Sequence, residues 1–142
     1  MGEARFDHFE HGSDIGVRGF GPTLEEAFAQ VGLAVTAVIT DPKDVEPRIP
    51  VDVRCAVAPS VEDLLYDFLD ALVFEMSTRG MLFSRFELHS DGKGLQGRML
   101  GEPIDPTRHE LAVEVKGPTY SELRVRFDRR SGEWLAQSIV DV

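Results

Sequence analysis

The first helical pattern of the chain follows Thr23. Apolar residues recur there at steps of three and four, which places them on one face of a helix. Thr23 and Glu26 have the spacing of a capping box, in which each side chain satisfies a free backbone N–H. Pro42 ends the pattern because it disfavours helical geometry at Asp41. The apolar positions are Leu24, Ala27, Phe28, Val31, Ala34, Val35 and Val38.

A second helical pattern follows Ser60, and Gly80 is a suitable residue to end it. Its apolar stripe consists of Leu64, Leu65, Phe68, Leu69, Leu72, Val73 and Met76. Acidic residues lie toward its N-terminal half, where the helix dipole favours negative charge. They form either a solvated face or, as the alternative, a metal site; the residues are Glu62, Asp63, Asp67 and Asp70.

Most of the remaining chain alternates apolar and polar residues, as β-strands do. Turn residues at 91–94 and 130–132 separate pairs of these stretches and favour hairpins. The predicted strands are 5–10, 15–20, 51–57, 82–88, 95–100, 111–115, 123–127 and 134–142. The pattern predicts an α+β fold of sandwich-like type, with seven or eight mainly antiparallel strands covered by two α-helices.

The 142 residues, 42% of them hydrophobic, predict a single domain over residues 1–142. The single cysteine, Cys55, excludes an internal disulfide and a cysteine-based zinc cluster. It lies in a predicted strand and is expected to be a buried small hydrophobe rather than a reactive thiol. We expect a reducing, cytoplasmic location. We find no secretion signal and no apolar run of the roughly 20 residues needed to cross a bilayer.

The charge balance limits the classes of partner. Fifteen Lys and Arg face 25 Asp and Glu, which gives a formal net charge of −10. Direct binding to nucleic acid is disfavoured because Lys and Arg at phosphates supply most of that affinity. Binding to anionic membranes is disfavoured for the same reason. Cations and basic protein surfaces are the expected partners, although the charge can also serve solubility alone.

Standard nucleotide-binding, hydrolase and metalloprotease motifs are missing, but two acidic positions are notable. Asp14 lies in a short turn between two predicted strands, and Asp141 precedes Val142 at the end of an apolar strand. If these strands pair, oxygen-bearing groups converge and need a cation, and such ligands suit calcium or magnesium. The alternatives are a turn capped by Asp14 or Ser13 and a solvated terminus.

A third candidate is the loop 101–109, which combines acid, base and imidazole at Asp105, Arg108 and His109. Loops of this composition often carry function. The alternative is ordinary turn chemistry around Asp105.

These motifs together resemble the archease family over nearly the whole chain. Each segment alone has low specificity, but their order and spacing are specific. Three family positions differ, since Gly12 and Ser13 replace Thr and Ala, and Ser121 replaces a frequent histidine. The matching segments are His11-Gly12-Ser13-Asp14-Ile15-Gly16, Gly21 to Phe28, Glu62-Asp63-Leu64-Leu65, Gly80 to Ser84, Gly101-Glu102 with Asp105 and Arg108-His109, Val115 to Tyr120, and Trp134 with Val140-Asp141-Val142.

The resemblance implies a non-catalytic accessory protein. Archeases activate the GTP-dependent RNA ligase that joins 3′-phosphate or 2′,3′-cyclic-phosphate ends in tRNA splicing and RNA repair, by promoting ligase guanylylation and multiple turnover. The family binds a divalent ion, calcium in structures, with magnesium or manganese as alternatives. The implied ligands here are Asp14, Asp141 and a main-chain or terminal oxygen of Val142. The candidates for partner contact are His11, Asp105, Arg108 and His109.

Two other functions are compatible with the sequence. One is a small metal-dependent hydrolase that uses Asp14, Asp141 and His109, in which an ion activates water and a base lies within reach. The other is a chaperone-like modulator of a tRNA methyltransferase, which the resemblance also suggests. The sequence does not define the oligomeric state.

Overall fold

The computed structural model describes residues 3–142. Within them the chain forms eight strands, two α-helices and a short 3₁₀ helix. The strands are β1 (Arg5–His11), β2 (Asp14–Gly21), β3 (Ile49–Cys55), β4 (Met81–Ser90), β5 (Leu95–Pro103), β6 (Gly117–Pro118), β7 (Arg124–Asp128) and β8 (Glu133–Asp141). The helices are α1 (Leu24–Ile39) and α2 (Val61–Arg79), and the 3₁₀ helix is Pro42–Asp44.

The strands form two antiparallel sheets. The first has the order β1-β2-β8-β6, and β7 also pairs with β8. The second has the order β3-β5-β4. The predicted α+β class, with antiparallel strands in two sheets and two helices, is confirmed.

Both helices begin and end where their capping residues predict. The amide of Glu26 donates to Thr23 Oγ1 at 3.1 Å, and the amide of Asp63 donates to Ser60 Oγ at 3.1 Å. Each bond satisfies one of the N–H groups that a helix start leaves free. Gly80 ends α2 in the left-handed conformation, with φ +62°, which glycine adopts without steric cost.

Helix α1 packs against strands of both sheets, namely β2 and β8 of the first and β4 of the second. Its residues are apolar or small on nearly all sides, as expected for a helix that is buried around its circumference. Gly32 of α1 lies against the ring of Phe86, and Gly19 of β2 lies against the α1 main chain. Neither α1 nor any other helix in residues 3–142 is long and apolar enough to cross a membrane.

Gly19→Ala tests this close approach. A Cβ atom at Gly19 would overlap with the carbonyl oxygen of Ala27 and the amide nitrogen of Val31, which are backbone atoms that cannot rotate away. We expect a loss of about 2 kcal/mol in the free energy of unfolding, measured by urea denaturation. The control is Gly12→Ala, where nothing lies within 4 Å and only the φ of +61° opposes the change. If Gly19→Ala lowered the free energy of unfolding less than Gly12→Ala does, the described packing of β2 against α1 would be contradicted.

Cys55 is a buried residue at the end of β3. Burial, with a smaller contribution from the negative charge of Asp67, raises the pKa of the thiol to about 11. The thiol therefore stays protonated at neutral pH and is a poor nucleophile. The predicted strand 51–57 is shifted, because β3 ends at Cys55 and Val57 lies exposed in the following loop.

The predicted strand 111–115 is wrong. The segment 110–116 lies between β5 and β6 without strand pairing, and only Gly117–Pro118 pair with β8. Because Gly117 pairs with Asp141, the last residue of β8, the residues that precede Gly117 run past the end of that strand. An alternating pattern predicts a side-chain period but does not supply a strand to pair with.

Candidate functional site

Asp14 begins β2 directly after the turn that joins it to β1. His11 and Asp14 form the last pair of the β1–β2 ladder, so Gly12 and Ser13 make a two-residue turn. Gly12 adopts φ +61°, a backbone conformation that residues other than glycine rarely take. The turn places Asp14 at one end of the first sheet.

The β2–β8 register places Asp141 next to Asp14. Ile15 pairs with Val140, so the next position of the same antiparallel register sets Asp14 opposite Asp141. Side chains directly opposite each other in a sheet point to the same face, with Cβ atoms about 5 Å apart. The register therefore brings the ends of the two strands that carry Asp14 and Asp141 together.

The two carboxylates lack a neutralising base within the described chain. Among residues 3–142, neither Asp14 nor Asp141 has a Lys, Arg or His nitrogen within 4 Å. Like charges directly opposite each other destabilise a sheet, so a bound cation suits this position. The donors are oxygens, which fit a hard cation such as Ca²⁺ or Mg²⁺.

Main-chain oxygens would have to complete such a site. No group of three or more His, Cys, Asp or Glu side chains suited to a metal occurs in the part of the chain that the structure describes. Val142 packs against the hydrophobic core, which holds its main chain beside Asp141. The amide of Lys116 donates to the Asp141 carbonyl at 2.7 Å and fixes the end of β8 from the other side.

The side chains of His11 and Glu122 lie close together near this end of the sheet. His11 Nε2 lies 3.1 Å from Glu122 Oε2, and both side chains are half-exposed. Glu122 adopts φ +48°, the left-handed region that residues other than glycine seldom enter, and its carbonyl accepts from Gln137 Nε2 at 2.9 Å. Sequence reasoning missed Glu122, because no local motif marks it; its backbone conformation is the structural sign.

The loop after β5 is built around the buried carboxylate of Glu102. Arg108 binds it in a bidentate manner, with Nη1 to Oε1 at 3.0 Å and Nη2 to Oε2 at 2.6 Å. The amide of Glu46 and the ring of His109 each contact Oε2 at 2.9 Å, and Arg48 Nε lies 3.5 Å from Oε1. Such charge-assisted bonds are stronger than neutral ones. They join the loop to the chain segment that follows α1.

These partners determine the protonation of Glu102. The hydrogen bonds from Arg108, aided by those from the Glu46 amide and His109, hold the pKa of the Glu102 carboxyl far below its usual value, against the opposing effect of burial. Hydrogen bonds and positive charge stabilise the carboxylate, whereas burial disfavours it. Glu102 is therefore ionised at neutral pH, and its charge is compensated inside the protein.

His109 and Asp105 support this loop from within. The amide of Asp105 donates to His109 Nδ1 at 2.9 Å, so the ring proton lies on Nε2 and is donated to Glu102. Thr107 donates from its hydroxyl and its amide to the Asp105 carboxylate and lowers the pKa of that group. Because the His109 side chain is buried, it does not present its imidazole to a partner in this conformation.

The structure thus separates the sequence-predicted residues into two places. Asp14, Asp141, Val142 and His11 lie at one end of the first sheet. Asp105, Arg108 and His109 lie in the loop around Glu102. The alternative of a hydrolase with His109 as base is disfavoured, because both ring nitrogens are bonded within the loop.

Comparisons with known proteins agree with the fold. The sequence matches the family described as Archease protein family (MTH1598/TM1083) over residues 6–142. The proteins named "Protein archease" of Pyrococcus furiosus and Thermococcus gammatolerans are 37% and 39% identical, and each match covers 97% of this chain and 99% of the relative.

Two solved structures are also similar. The solution structure of Methanobacterium thermoautotrophicum protein 1598 is 33% identical, with a TM-score of 0.80 and coverage of 96% of this chain and 98% of that one. The crystal structure of an archease from Thermotoga maritima, described as a possible chaperone, has a TM-score of 0.58 with 94% of each chain covered. At 14% identity, the second likeness shows a shared fold.

Proposed function

The chain belongs to the archease family, and from that premise we propose that it is an accessory protein that activates a GTP-dependent RNA ligase. The ligase joins 3′-phosphate or 2′,3′-cyclic-phosphate RNA ends and carries out the catalysis. The accessory protein promotes ligase guanylylation and multiple turnover. The observation that supports this proposal is the β2–β8 register: Ile15 pairs with Val140, so Asp14 and Asp141 occupy the next positions of the two strands, and neither has a neutralising base among residues 3–142.

Asp14, Asp141 and a main-chain oxygen of Val142 would hold a divalent cation, with calcium as the first candidate. When bound, the cation would lower charge repulsion or position reacting groups at a phosphoryl-transfer centre. Asp14 and Asp141 supply the two negative charges that attract it. The Lys116 amide on the Asp141 carbonyl and the core contact of Val142 keep this end of β8 in place.

The charge of the protein fits a basic partner surface. The formal net charge is −10, and an RNA ligase must present Lys and Arg to its phosphate-rich substrate. Opposite charge on two proteins accelerates their encounter and orients them before contact. The acidic end of the first sheet would then approach the nucleotide site of the ligase.

The direct test is single-turnover guanylylation of the purified ligase with GTP. We expect wild-type protein to accelerate formation of the guanylylated ligase, and Asp14→Ala to reduce that acceleration by about a hundredfold or more, the effect seen when a group that stabilises phosphoryl-transfer charge is removed. Asp70→Asn, a carboxylate on the exposed face of α2, is the control and should act as wild type. Equal stimulation by wild-type and Asp14→Ala proteins would remove Asp14 from the proposed function.

A further inference from the structure

The segment 110–116 has the sequence of a strand but lacks a strand partner. Leu111, Val113 and Val115 alternate with Ala112 and Glu114, a pattern typical of β-strands. Residues 110–116 contain no turn or bend, and they follow the turn at residues 106–108 that comes after β5. Sequence and structure therefore disagree here about strand pairing.

The main chain of this segment is mostly unpaired. Among residues 3–142 it makes two backbone hydrogen bonds, from the Ala112 amide to the Ile39 carbonyl at 2.8 Å and from the Lys116 amide to the Asp141 carbonyl at 2.7 Å. In an extended chain alternate amides point to opposite edges. The two bonded amides, those of Ala112 and Lys116, are an even number of residues apart, as on one edge of an extended chain. This spacing leaves the amides of Leu111 and Val113 for the other edge, where a further strand can pair with them.

An apolar groove lies beside the same segment. Its volume is about 380 Å³, and α2, β4 and the segment itself line it. Leu111 and Val113 are 45% and 44% exposed, and Ile104 at the end of the groove is 38% exposed. The apolar groups that line the groove include Ile39, Met76, Met81, Ile104, Leu111 and Val113.

We propose that residues 110–116, with the groove beside them, form a docking strand that pairs with an extended, basic, β-strand-forming segment of a partner protein. Adding a strand to an open edge gives affinity through main-chain hydrogen bonds, and pockets for alternate side chains give specificity. Glu110, Glu114 and Lys116 are exposed on the segment, which leaves it with a net negative charge, so Lys or Arg beside the apolar residues of the partner fits the two glutamates. A second copy of this chain is the less favoured occupant, because each copy carries a formal net charge of −10 and two such copies repel each other.

This inference rests neither on the metal nor on the ligase, since it requires only a strand of the stated chemistry. It is tested with the whole protein and a fluorescein-labelled synthetic peptide that alternates lysine and valine, by fluorescence anisotropy at about 0.15 M salt, where surface charge is largely screened. We expect saturable binding that Val113→Asp weakens about tenfold. Val57→Asp is the matched control, because Val57 is 73% exposed in the loop before α2. The affinity of the Val57→Asp protein for the peptide should stay within about twofold of wild type.

The outcomes of these measurements distinguish strand pairing from a general electrostatic attraction between the acidic protein and the basic peptide. Each Asp variant adds a negative charge, so attraction by charge alone would tighten binding in both, and this result would overturn the proposal. Hydrogen exchange by NMR should show that the peptide protects the amides of Leu111 and Val113. Peptide binding without that protection, or no binding at all, would also overturn it. The proposal would also be overturned if sedimentation showed that the protein self-associates and that Val113→Asp abolishes this self-association, because the occupant would then be a second copy.

Discussion

Replacing Glu102 with alanine should lower the free energy of unfolding by about 2–3 kcal/mol, because it leaves the Glu46 amide and the buried Nε2–H of His109 without their acceptor. The side chain is buried, and it accepts bonds from Arg108, His109 and the Glu46 amide. The loss is a large share of the stability of a small protein. Urea denaturation monitored by circular dichroism at pH 7 measures it.

The same carboxylate predicts a dependence on pH. The pKa of Glu102 in the folded protein is far below its ordinary value of 4.5, so its stabilisation is complete above that pH and is lost as the pH falls below it. The stability difference between wild type and Glu102→Ala should therefore narrow between pH 7 and about pH 3. Other acids with lowered pKa values titrate in both proteins and cancel in the difference; they are Glu87, Asp91, Asp105 and Glu133.

Glu75→Ala is the control for both measurements. Glu75, which is partly buried on α2, pairs with the exposed Arg79 one turn further along, and such i,i+4 pairs contribute about 0.3–0.5 kcal/mol. For Glu75→Ala we expect a correspondingly small loss in the free energy of unfolding, and a difference from wild type that does not narrow as the pH falls. A Glu102→Ala variant as stable as Glu75→Ala would show that the buried Glu102 carboxylate does not hold the loop.

The second large effect concerns the stability change caused by Asp14→Asn, which should have opposite signs in the absence and in the presence of calcium. In the presence of a chelator, Asp14→Asn should raise the free energy of unfolding by about 0.5 kcal/mol, since it removes a like charge opposite Asp141. With Ca²⁺ at about one hundred times the wild-type dissociation constant, wild type should gain about 2.7 kcal/mol from binding, and the variant should gain about 1.4 kcal/mol or less. Thermal and urea unfolding in each condition measure the reversal.

Asp70→Asn controls for general screening of the acidic surface. Asp70 belongs to the acidic face of α2, where Asp63 and Asp70 together with burial raise the pKa of Asp67. If calcium acted by screening, Asp70→Asn would reduce its effect as much as Asp14→Asn does. We expect Asp70→Asn to retain the full stabilisation by calcium, and equal losses in the two variants would contradict a site at Asp14.

Local chemistry in the sequence was sufficient to predict the helices. Thr23, Ser60 and Gly80 cap them as predicted, because a capping bond depends on residues within one turn. The hairpin before Asp14 was predictable for the same reason. The β2–β8 pairing is long-range, and the sequence offered it only as the condition under which Asp14 and Asp141 would converge.

Other features depend on contacts between distant parts of the chain and were not predictable. The segment 111–115 has a strand pattern, yet no neighbouring strand reaches it. The role of Glu102 requires Glu46 and Arg108 to meet it in space, and the sequence shows only a Gly-Glu pair before a loop. Glu122 was missed because its pairing with His11 depends on how two turns meet.

Isothermal titration calorimetry with Ca²⁺ measures directly whether Asp14 and Asp141 form a cation site. We expect the metal-free wild-type protein to bind one Ca²⁺ per chain. Asp14→Asn and Asp141→Asn should each weaken this binding by about tenfold or more, since the affinity of a calcium site depends on its number of charged ligands. Binding that is unchanged in both variants, or absent from the wild-type protein at millimolar calcium, would contradict it.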